Sequence, residues 1–506
     1  MLFDFSDSAN VGKEYNGFIL LSVDDLPDYK TKAVYLRHKV TGLEVYHILA
    51  EDKENLFAFA FRTFAKNSKG MAHIMEHSVL CGSEKYPLKE PFTTLNATCI
   101  NTFLNALTYP DKTVYPAAST IRKDYFTMMD VYADAVFFPL LEHATFLQEG
   151  YRLELDDKGK LSIQGVVYNE MKGSYSSFQP VAYSKQINAM FPDCFASYES
   201  GGDPLEIPSL TYEEFLNFHK KFYAPDNCLL YLYGDIPTSE QLDFLNEKLI
   251  SRLEKKYNCT GVIKNAESKL PLIKPEIKKL QKLKKRNSVD IETIYDVAPE
   301  TGASGNLVTL NYYSGKADIE KYFLSEVLFG NDSSPLSVIL KESGLGDDEQ
   351  CYNFGQFQEE FFTIGLWNVK KGNEEKLFEL IQKSLQDIYE KGVAQVDIDS
   401  AVMGIDFNLR EENRYWGPFS ITLMEKVMKC WNYGLPCSKR LSPISDFEVV
   451  KKKLQSDKNY VKKLIKKYFL DSKQQIRFIC EPSKTFFKER AKVEKEHIKN
   501  FEKNLD

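Results

Sequence analysis

The stretch Gly70-Met71-Ala72-His73-Ile74-Met75-Glu76-His77-Ser78 carries the most informative pattern in this 506-residue chain. On a helix, His73 and His77 are four residues apart and project from one face, with Glu76 beside them. Two imidazoles at this spacing can share one metal ion. The stretch therefore predicts a helical metal site, and the competing interpretation is a pair of surface histidines without a ligand.

Zinc suits two neutral imidazoles and one carboxylate, because such a site keeps a fourth position open for water and lowers the pKa of that water. Glu76 is then placed to act as the general base. The order His-x-x-Glu-His is the inverted form of the usual zinc-protease motif. The motif predicts hydrolysis of peptide bonds.

The motif does not name the third ligand. Glu170 is a candidate because it is a lone acid among apolar neighbours in residues 165–173. Residue spacing alone does not separate it from Glu142 or Glu149. The remaining histidines have no partner at ligand spacing and are expected to be ordinary: His38, His47, His143, His219 and His497.

The residues after the motif recur later in the chain. Val79-Leu80-x-Gly82 with Pro87-Leu88 matches Val327-Leu328-x-Gly330 with Pro335-Leu336, at an offset of 327 − 79 = 248 residues. Recurrence at one offset predicts two copies of one α+β unit. The second copy has Lys321, Leu324 and Ser325 where the first has the His, Glu and His of the motif, so we expect one metal per chain.

Local patterns predict the elements around the motif. They are strand-like alternation at 33–48 and 56–62, a helix at 119–138, a hairpin of 151–155 and 161–163 around the turn at 156–159, a strand at 228–233, and helices that begin with the capping boxes Thr211-x-x-Glu214 and Thr238-x-x-Gln241.

Composition suggests where one unit ends and the next begins. Residues 1–255 are predicted as the metal-bearing domain, and 289–483 as the second domain. Residues 256–288 between them are Lys-rich and contain Pro271 and Pro275, which is typical of a solvated linker, with a binding patch as the alternative. Residues 484–506 favour a helix with an incomplete apolar stripe.

The overall composition excludes some classes of function. A net charge of −7 argues against a general nucleic-acid surface, and no apolar run is long enough to span a membrane. The N-terminus lacks the pattern of a targeting segment, which favours the cytoplasm, or an organelle matrix if such a segment has been removed. The nine cysteines include no CxxC pair, and Cys81 beside the motif is expected to be a packing thiol.

Longer motifs surround the metal pattern. They are His73 to Ser83, Lys85-Tyr86-Pro87 with Pro91-Phe92, residues 101–116 and residues 165–173. On these motifs the sequence resembles the M16 metallopeptidases, most closely their presequence-protease and falcilysin branch. The resemblance implies an α+β fold of two homologous M16-type α/β-roll domains, each an antiparallel-rich sheet packed with helices.

The same resemblance implies roles for individual residues. It makes His73, His77 and Glu170 the zinc ligands and Glu76 the base. It also implies a substrate site: Leu80 and Phe92 would line an apolar subsite, while Asn105 and Ala106 would lie in an edge strand to which an extended peptide adds.

The resemblance covers nearly the whole chain but only half of the family's enzyme, in which four such domains form two bowls joined by a helical hairpin. Residues 484–506 then resemble the start of that hairpin. The leading hypothesis is a zinc metalloendopeptidase, the N-terminal half of an oligopeptidase that cleaves short unfolded peptides with a complementary C-terminal half. The alternatives are a processing-peptidase subunit that works as a dimer and a non-catalytic scaffold or binding subunit.

Overall fold

The computed structural model describes residues 3–155, 157, 159–285, 291–300, 305–415 and 417–503. They form two compact units. Unit 1 consists of Met1–Met171, Tyr198–Lys282 and Glu412–Ser442, and unit 2 consists of Lys172–Ser197, Leu283–Glu411 and Pro443–Asp506. The predictions for Asp156 and Lys158 in the hairpin turn, for 286–288 in the linker and for 504–506 in the last helix lie outside the described residues.

The described strands follow in chain order. They are β1 (Glu14–Tyr15), β2 (Phe18–Leu26), β3 (Thr31–His38), β4 (Glu44–Ile48), β5 (Asn55–Arg62), β6 (Phe103–Leu104), β7 (Leu107–Thr108), β8 (Lys112–Ser119), β9 (Arg152–Leu155), β10 (Leu161–Gln164), β11 (Cys228–Tyr233), β12 (Glu292–Pro299), β13 (Leu307–Lys316), β14 (Tyr352–Phe354), β15 (Glu359–Trp367) and β16 (Gln475–Ser483).

The described α-helices are α1 (Met71–Val79), α2 (Pro91–Thr98), α3 (Arg122–Phe137), α4 (His143–Glu149), α5 (Val166–Ser174), α6 (Phe178–Met190), α7 (Tyr212–Phe222), α8 (Thr238–Leu245), α9 (Ser251–Lys256), α10 (Pro275–Leu280), α11 (Ile319–Phe329), α12 (Pro335–Glu342), α13 (Glu374–Lys391), α14 (Gln395–Arg410), α15 (Phe419–Asn432), α16 (Pro443–Ser456), α17 (Tyr460–Ile465) and α18 (Phe486–Glu502).

Each unit is built around one mixed sheet. In unit 1 the order is β1-β2-β3-β4-β11-β5-β8-β6, with β7 also paired to β8, and β11 runs parallel only to β4. In unit 2 the order is β12-β16-β13-β15-β14, and β16 runs parallel only to β12. The α+β class and the antiparallel-rich sheets are as predicted.

The two sheets share a motif of four strands. In unit 1, β11 lies between parallel β4 and antiparallel β5, and β5 pairs with β8. In unit 2, β16 lies between parallel β12 and antiparallel β13, and β13 pairs with β15. A helix follows the matching strand in each case, α1 after β5 and α11 after β13. The topology therefore repeats as the 248-residue offset predicts.

Most local predictions agree with the structure. The strands at 56–62 and 228–233, the helix at 119–138 and the hairpin arms are confirmed within one to three residues. The capping box of Thr211 and Glu214 is present at the start of α7.

One local prediction is confirmed in part and one is wrong. The strand-like alternation at 33–48 forms two strands, because a turn around Gly42 folds it into the antiparallel pair β3 and β4. Thr238 does not cap α8; its hydroxyl instead lies 2.8 Å from Nδ1 of buried His47.

The segment 256–285 also differs from a solvated linker. Ala266 and Ile277 are buried in unit 1, and Arg37 donates to the carbonyls of Ala266 and Ser268 at 2.9 and 2.8 Å. The backbone carbonyls of this segment thus accept hydrogen bonds from the buried guanidinium of Arg37, which also forms an ion pair with Glu44 at 2.7 Å. A polar, Lys-rich composition does not reveal that partner.

The proposed division into 1–255 and 289–483 differs from the two compact units. Residues 172–197 pack with unit 2, and 412–442 pack with unit 1. Helix α15 covers the unit 1 sheet with an apolar stripe that includes Leu423, Val427 and Trp431. The Arg62 guanidinium stacks 3.5 Å from the centre of the Trp431 ring. Because α15 buries this stripe on the earlier sheet, the units are not contiguous in sequence.

Candidate metal centre

Helix α1 carries the motif and is preceded by its N-cap residue Gly70, which has a positive φ of 67°. A Cβ at Gly70 would lie 2.8 Å from the carbonyl oxygen of Gly201 and 3.0 Å from Cα of Gly202. Glycine is therefore required by the conformation and by the close approach of the two chains. This approach brings the 201–202 backbone against the first turn of the motif helix.

Two side chains of α1 and one of α5 bring three ligand atoms together. Nε2 of His73 lies 3.7 Å from Oε2 of Glu170, and Nε2 of His77 lies 3.9 Å from the same oxygen. The rings of His73 and His77 are 4.9 Å apart and nearly perpendicular. Ligand atoms around a tetrahedral zinc are about 3.4 Å apart. The set therefore has the chemistry and nearly the spacing of a zinc site.

No other group of three or more such side chains within the described part of the chain could hold a metal ion. Glu170 is supplied by α5, and its side chain is 55 % exposed, whereas His73 is 11 % exposed. The open side of the site thus faces solvent through Glu170. Of the carboxylates that spacing left open, Glu142 is exposed at the start of α4 and is not part of the group.

Glu149, the third of those carboxylates, lies behind His77 rather than beside the metal position. Its Oε2 is 3.2 Å from Nδ1 of His77, and its side chain is only 7 % exposed. Nδ1 of His73 in turn lies 3.0 Å from the carbonyl oxygen of Gly201. Both outer partners are acceptors, so each Nδ1 donates and each Nε2 keeps its lone pair for a metal.

The charges around His77 favour its protonated form when no metal competes. Burial by itself would lower its pKa, but the hydrogen bond to Glu149 and the charges of Glu76, Glu149 and Glu170 raise it above the ordinary value. Burial opposes the charge of Glu149 as well, yet the hydrogen bonds from His77 and Gln148 lower its pKa. Glu149 is thus an anionic acceptor.

Glu76 is buried within α1, at 9 % exposure. Burial is the main reason that the pKa of Tyr132 on α3 is raised, and the negative charge of Glu76 raises it further. Cys81 lies two residues after the end of the same helix, where burial raises the pKa of its thiol to about 12. At neutral pH Cys81 is therefore a protonated packing group, as expected.

The predicted substrate residues lie along the edge of the unit 1 sheet. Asn105 and Ala106 are not in a continuous strand, because they separate β6 from β7, and both of these short strands pair with β8 alone. Helix α1 packs against β7, so this edge runs beside the motif. Its outer side has no strand partner among the described residues.

Tyr132 connects this edge to the apolar residues. Its hydroxyl donates to the carbonyl of Asn105 at 3.2 Å, and its ring is 6.5 Å from the ring of Phe92 on α2. Leu80 is half-buried at the end of α1. Sequence reasoning missed Tyr132 and Gly201, and it considered Glu149 only as an alternative metal ligand.

The described residues of the second copy form no such centre. Lys321, at the position of His73, is 2 % exposed and lies 3.6 Å from Glu360. The remaining histidines are outside the metal group; His38, His47 and His219 are buried and His143 is exposed.

Comparison with known proteins agrees with this fold. Residues 62–160 match the family model described as "Insulinase (Peptidase family M16)", and residues 209–405 match the model described as "Peptidase M16 inactive domain". The chain belongs to the M16 peptidase family.

Within the family, the chain is similar to several curated proteins. It is 34 % identical over 486 residues to "Presequence protease 1, chloroplastic/mitochondrial" of Arabidopsis thaliana, a match that covers 94 % of the chain and 44 % of that protein. It is also 34 % identical to "Protein HypA" of Clostridium perfringens, over 97 % of the chain and 50 % of that protein. The chain spans about half the length of the curated relatives it matches.

Solved structures show the same fold at low sequence identity. A protease from Helicobacter pylori has a TM-score of 0.64 at 16 % identity, and the match covers 89 % of this chain and 100 % of that one. The first half of the periplasmic protease PqqL from Escherichia coli has a TM-score of 0.61 at 14 % identity, covering 94 % and 98 %. Among the described helices, none has the length and apolar character needed to cross a membrane.

Proposed function

We propose that the chain is the zinc-bearing part of a metalloendopeptidase that cleaves short unfolded peptides, with one zinc held by His73, His77 and Glu170. The observation that carries the proposal is that the Nε2 atoms of His73 and His77 lie 3.7 and 3.9 Å from one carboxylate oxygen of Glu170, with the three ligand atoms within 4.8 Å of one another. Membership of the M16 peptidase family and similarity to presequence proteases support it.

Each residue would have a separate task. When bound, zinc would supply Lewis-acid activation of water and of the scissile carbonyl. Glu76 would accept the proton of the attacking water and deliver it to the leaving amine. Glu149 and the Gly201 carbonyl would keep the two imidazoles oriented and in the required tautomer.

The sheet edge of β6 and β7 supports a preference for extended peptides. A peptide that lies along this edge would satisfy its backbone groups as an added strand, so recognition would depend little on side chains. Asn105 and Ala106 would lie in that edge, and Leu80 and Phe92 would contact the side chain next to the scissile bond.

We also propose that turnover needs a complementary M16 half, because the chain spans about half of its curated relatives. A chain that works as a dimer would instead cleave peptide alone and have twice its monomer mass in solution. A scaffold subunit would bind peptide without cutting it. The proposed location is the cytoplasm or an organelle matrix.

Metal analysis and peptide cleavage test the proposal. The purified chain should contain about one equivalent of zinc, lost in His77→Ala and Glu170→Gln, while the exposed histidine variant His143→Ala should retain it. Glu76→Gln should keep zinc and abolish cleavage of an unstructured fluorogenic peptide, measured together with the complementary half. No zinc in the wild-type chain, or full cleavage by Glu76→Gln, would contradict the assignment.

A further inference from the structure

The sheet edge beside the metal centre keeps one register from β6 to β7. Leu104 of β6 lies opposite Ala117 of β8. Leu107 of β7 lies three residues later and is opposite Val114, which lies three residues earlier. No residue is inserted between the two short strands, so β6 and β7 are segments of one strand whose pairing with β8 is interrupted at residues 105 and 106.

Pro116 of β8 accounts for this interruption. The N–H of Asn105 donates to the Pro116 carbonyl at 3.2 Å, so these two residues form a pair that would exchange two hydrogen bonds in a regular antiparallel ladder. The second bond of the pair cannot form, because proline has no N–H. The carbonyl of Asn105 is thus left without a donor on β8. An unpaired carbonyl inside a sheet weakens the pairing of the strand that carries it.

Tyr132 on α3 supplies the missing donor. Its hydroxyl donates to the Asn105 carbonyl at 3.2 Å, and its ring lies 5.6 Å from the ring of Phe57 on β5, nearly perpendicular to it. The side chain is fully buried. Burial and the charge of Glu76 raise its pKa well above the ordinary value, so the hydroxyl stays protonated and remains a donor. A side chain fixed in the core thus replaces a backbone group of the sheet.

The replacement also affects the side of the edge that faces away from β8. Backbone groups of successive residues in an antiparallel strand alternate between its two sides. Since the N–H of Asn105 is directed toward β8, the N–H and C=O groups of Leu104 and Ala106 are directed to the open side. The Ala106 N–H donates to the side-chain Oδ1 of Asn105 at 2.9 Å. The position of Asn105 therefore decides which groups an added strand would meet.

We propose that Tyr132 is a positioning residue for substrate binding: its hydroxyl replaces the N–H that Pro116 lacks and so keeps the 104–106 backbone in line with β6 and β7. The inference rests on the proposed function of this edge. An added peptide strand binds through regular backbone hydrogen bonds and needs its partner groups in one line. An edge that is already held loses less freedom when the peptide binds. Tyr132 thus acts on the peptide through the edge and not on the scissile bond.

The variant Tyr132→Phe tests this role because it removes the hydroxyl and keeps the ring. We expect the KM for an unstructured fluorogenic peptide, measured together with the complementary half, to rise about tenfold, the scale of one lost hydrogen bond, with kcat nearly unchanged. Hydrogen exchange at the Asn105 amide of the chain alone should become faster, and the zinc content should stay at the wild-type level. An unchanged KM would overturn the proposal.

Pro116→Ala provides the rescue, because alanine at this position restores an N–H that can donate to the Asn105 carbonyl. The double variant, Tyr132→Phe with Pro116→Ala, should recover the wild-type KM and exchange rate. Pro116→Ala alone should have the wild-type KM, since Tyr132 still donates. If Tyr132→Phe alone does not fold, the double variant should fold and have the wild-type KM. A double variant that is no better than Tyr132→Phe would overturn the proposal.

Tyr125→Phe is the matched control. Tyr125 lies on the same helix, is fully buried and packs edge-on against Phe57 at 5.4 Å, but its hydroxyl donates to Oε1 of Gln241 at 2.5 Å. This variant also loses a buried hydrogen bond, yet it should leave the KM and the exchange at Asn105 unchanged. An equal rise in its KM would overturn the proposal. Absence of zinc from the wild-type chain would instead refute the proposed function, while the exchange rates would still report on Tyr132 and Pro116.

Discussion

At the scale of single residues, the centre depends on groups that never touch the metal position. His77 and His73 each have one nitrogen directed at Glu170 and the other held by an acceptor, Glu149 or the Gly201 carbonyl. An imidazole whose Nδ1 donates is fixed in both tautomer and orientation. Two ligand positions are therefore decided by residues far away in the sequence.

Glu149→Gln tests this at the residue scale. The amide can still accept a hydrogen bond but carries no charge, so His77 becomes a weaker and less well-oriented ligand. Zinc affinity should fall about tenfold or more, as measured by chelator competition.

Glu142→Gln is the control for Glu149→Gln. Glu142 is an exposed acid at the start of α4, the helix that ends at Glu149. Its substitution should not change the zinc Kd. A loss of zinc from this variant, with normal binding by Glu149→Gln, would reverse the two assignments.

At the scale of elements, the start of α1 joins the motif to the backbone that orients it. Gly70 gives the chain a left-handed conformation, and its lack of a side chain lets Gly201 and Gly202 approach. The helix and the 201–202 turn therefore share one glycine-dependent contact. Gly70 therefore affects both the backbone conformation before α1 and the orientation of His73.

Gly70→Ala should reduce both thermal stability and zinc affinity. A Cβ at positive φ costs about 1 kcal/mol, and here it would also displace the Gly201 carbonyl that orients His73. Gly12→Ala provides the matched control, since Gly12 has φ +88° and nothing within 4 Å of the added Cβ. It should lower the melting temperature alone. Equal zinc affinity in the two variants would refute the link between helix start and metal centre.

At the scale of the whole molecule, buried histidines connect stability to pH. His47 and His219 are 1 % and 6 % exposed in unit 1, and burial lowers the pKa of each to about 4. The pKa of a histidine in the unfolded chain is about 6.5. Between pH 6.5 and pH 4, the unfolded chain therefore binds protons that the folded chain does not. The stability that these two neutral histidines contribute is therefore fully present above about pH 6.5 and is lost as the pH falls toward 4.

His219→Gln should weaken this dependence. The amide can still donate to the Val136 carbonyl, which His219 Nε2 contacts at 2.9 Å, but it binds no proton. The number of protons taken up on unfolding between pH 6.5 and 4 should fall by about one. This number is obtained from the slope of the unfolding free energy against pH. The same change at exposed His143 should leave the slope as it is, and an unchanged slope for His219→Gln would contradict the assignment.

The sequence by itself determined what depends on near neighbours. His73, Glu76 and His77 lie on one helix because their spacing matches its turn, and the capping box of Thr211 and Glu214 forms within four residues. The duplication was also readable, because both copies keep the same residues at one offset.

Only the tertiary structure decided which distant groups meet. It brought Glu170 to the two imidazoles, placed Glu149 behind His77 and made α15 part of unit 1. Each of these contacts joins residues separated by dozens to hundreds of positions. Local periodicity indicates which face of a segment is buried, but it does not indicate which other segment packs against that face. Residue spacing did not separate Glu142, Glu149 and Glu170, and only packing gave each of these acids a different neighbour.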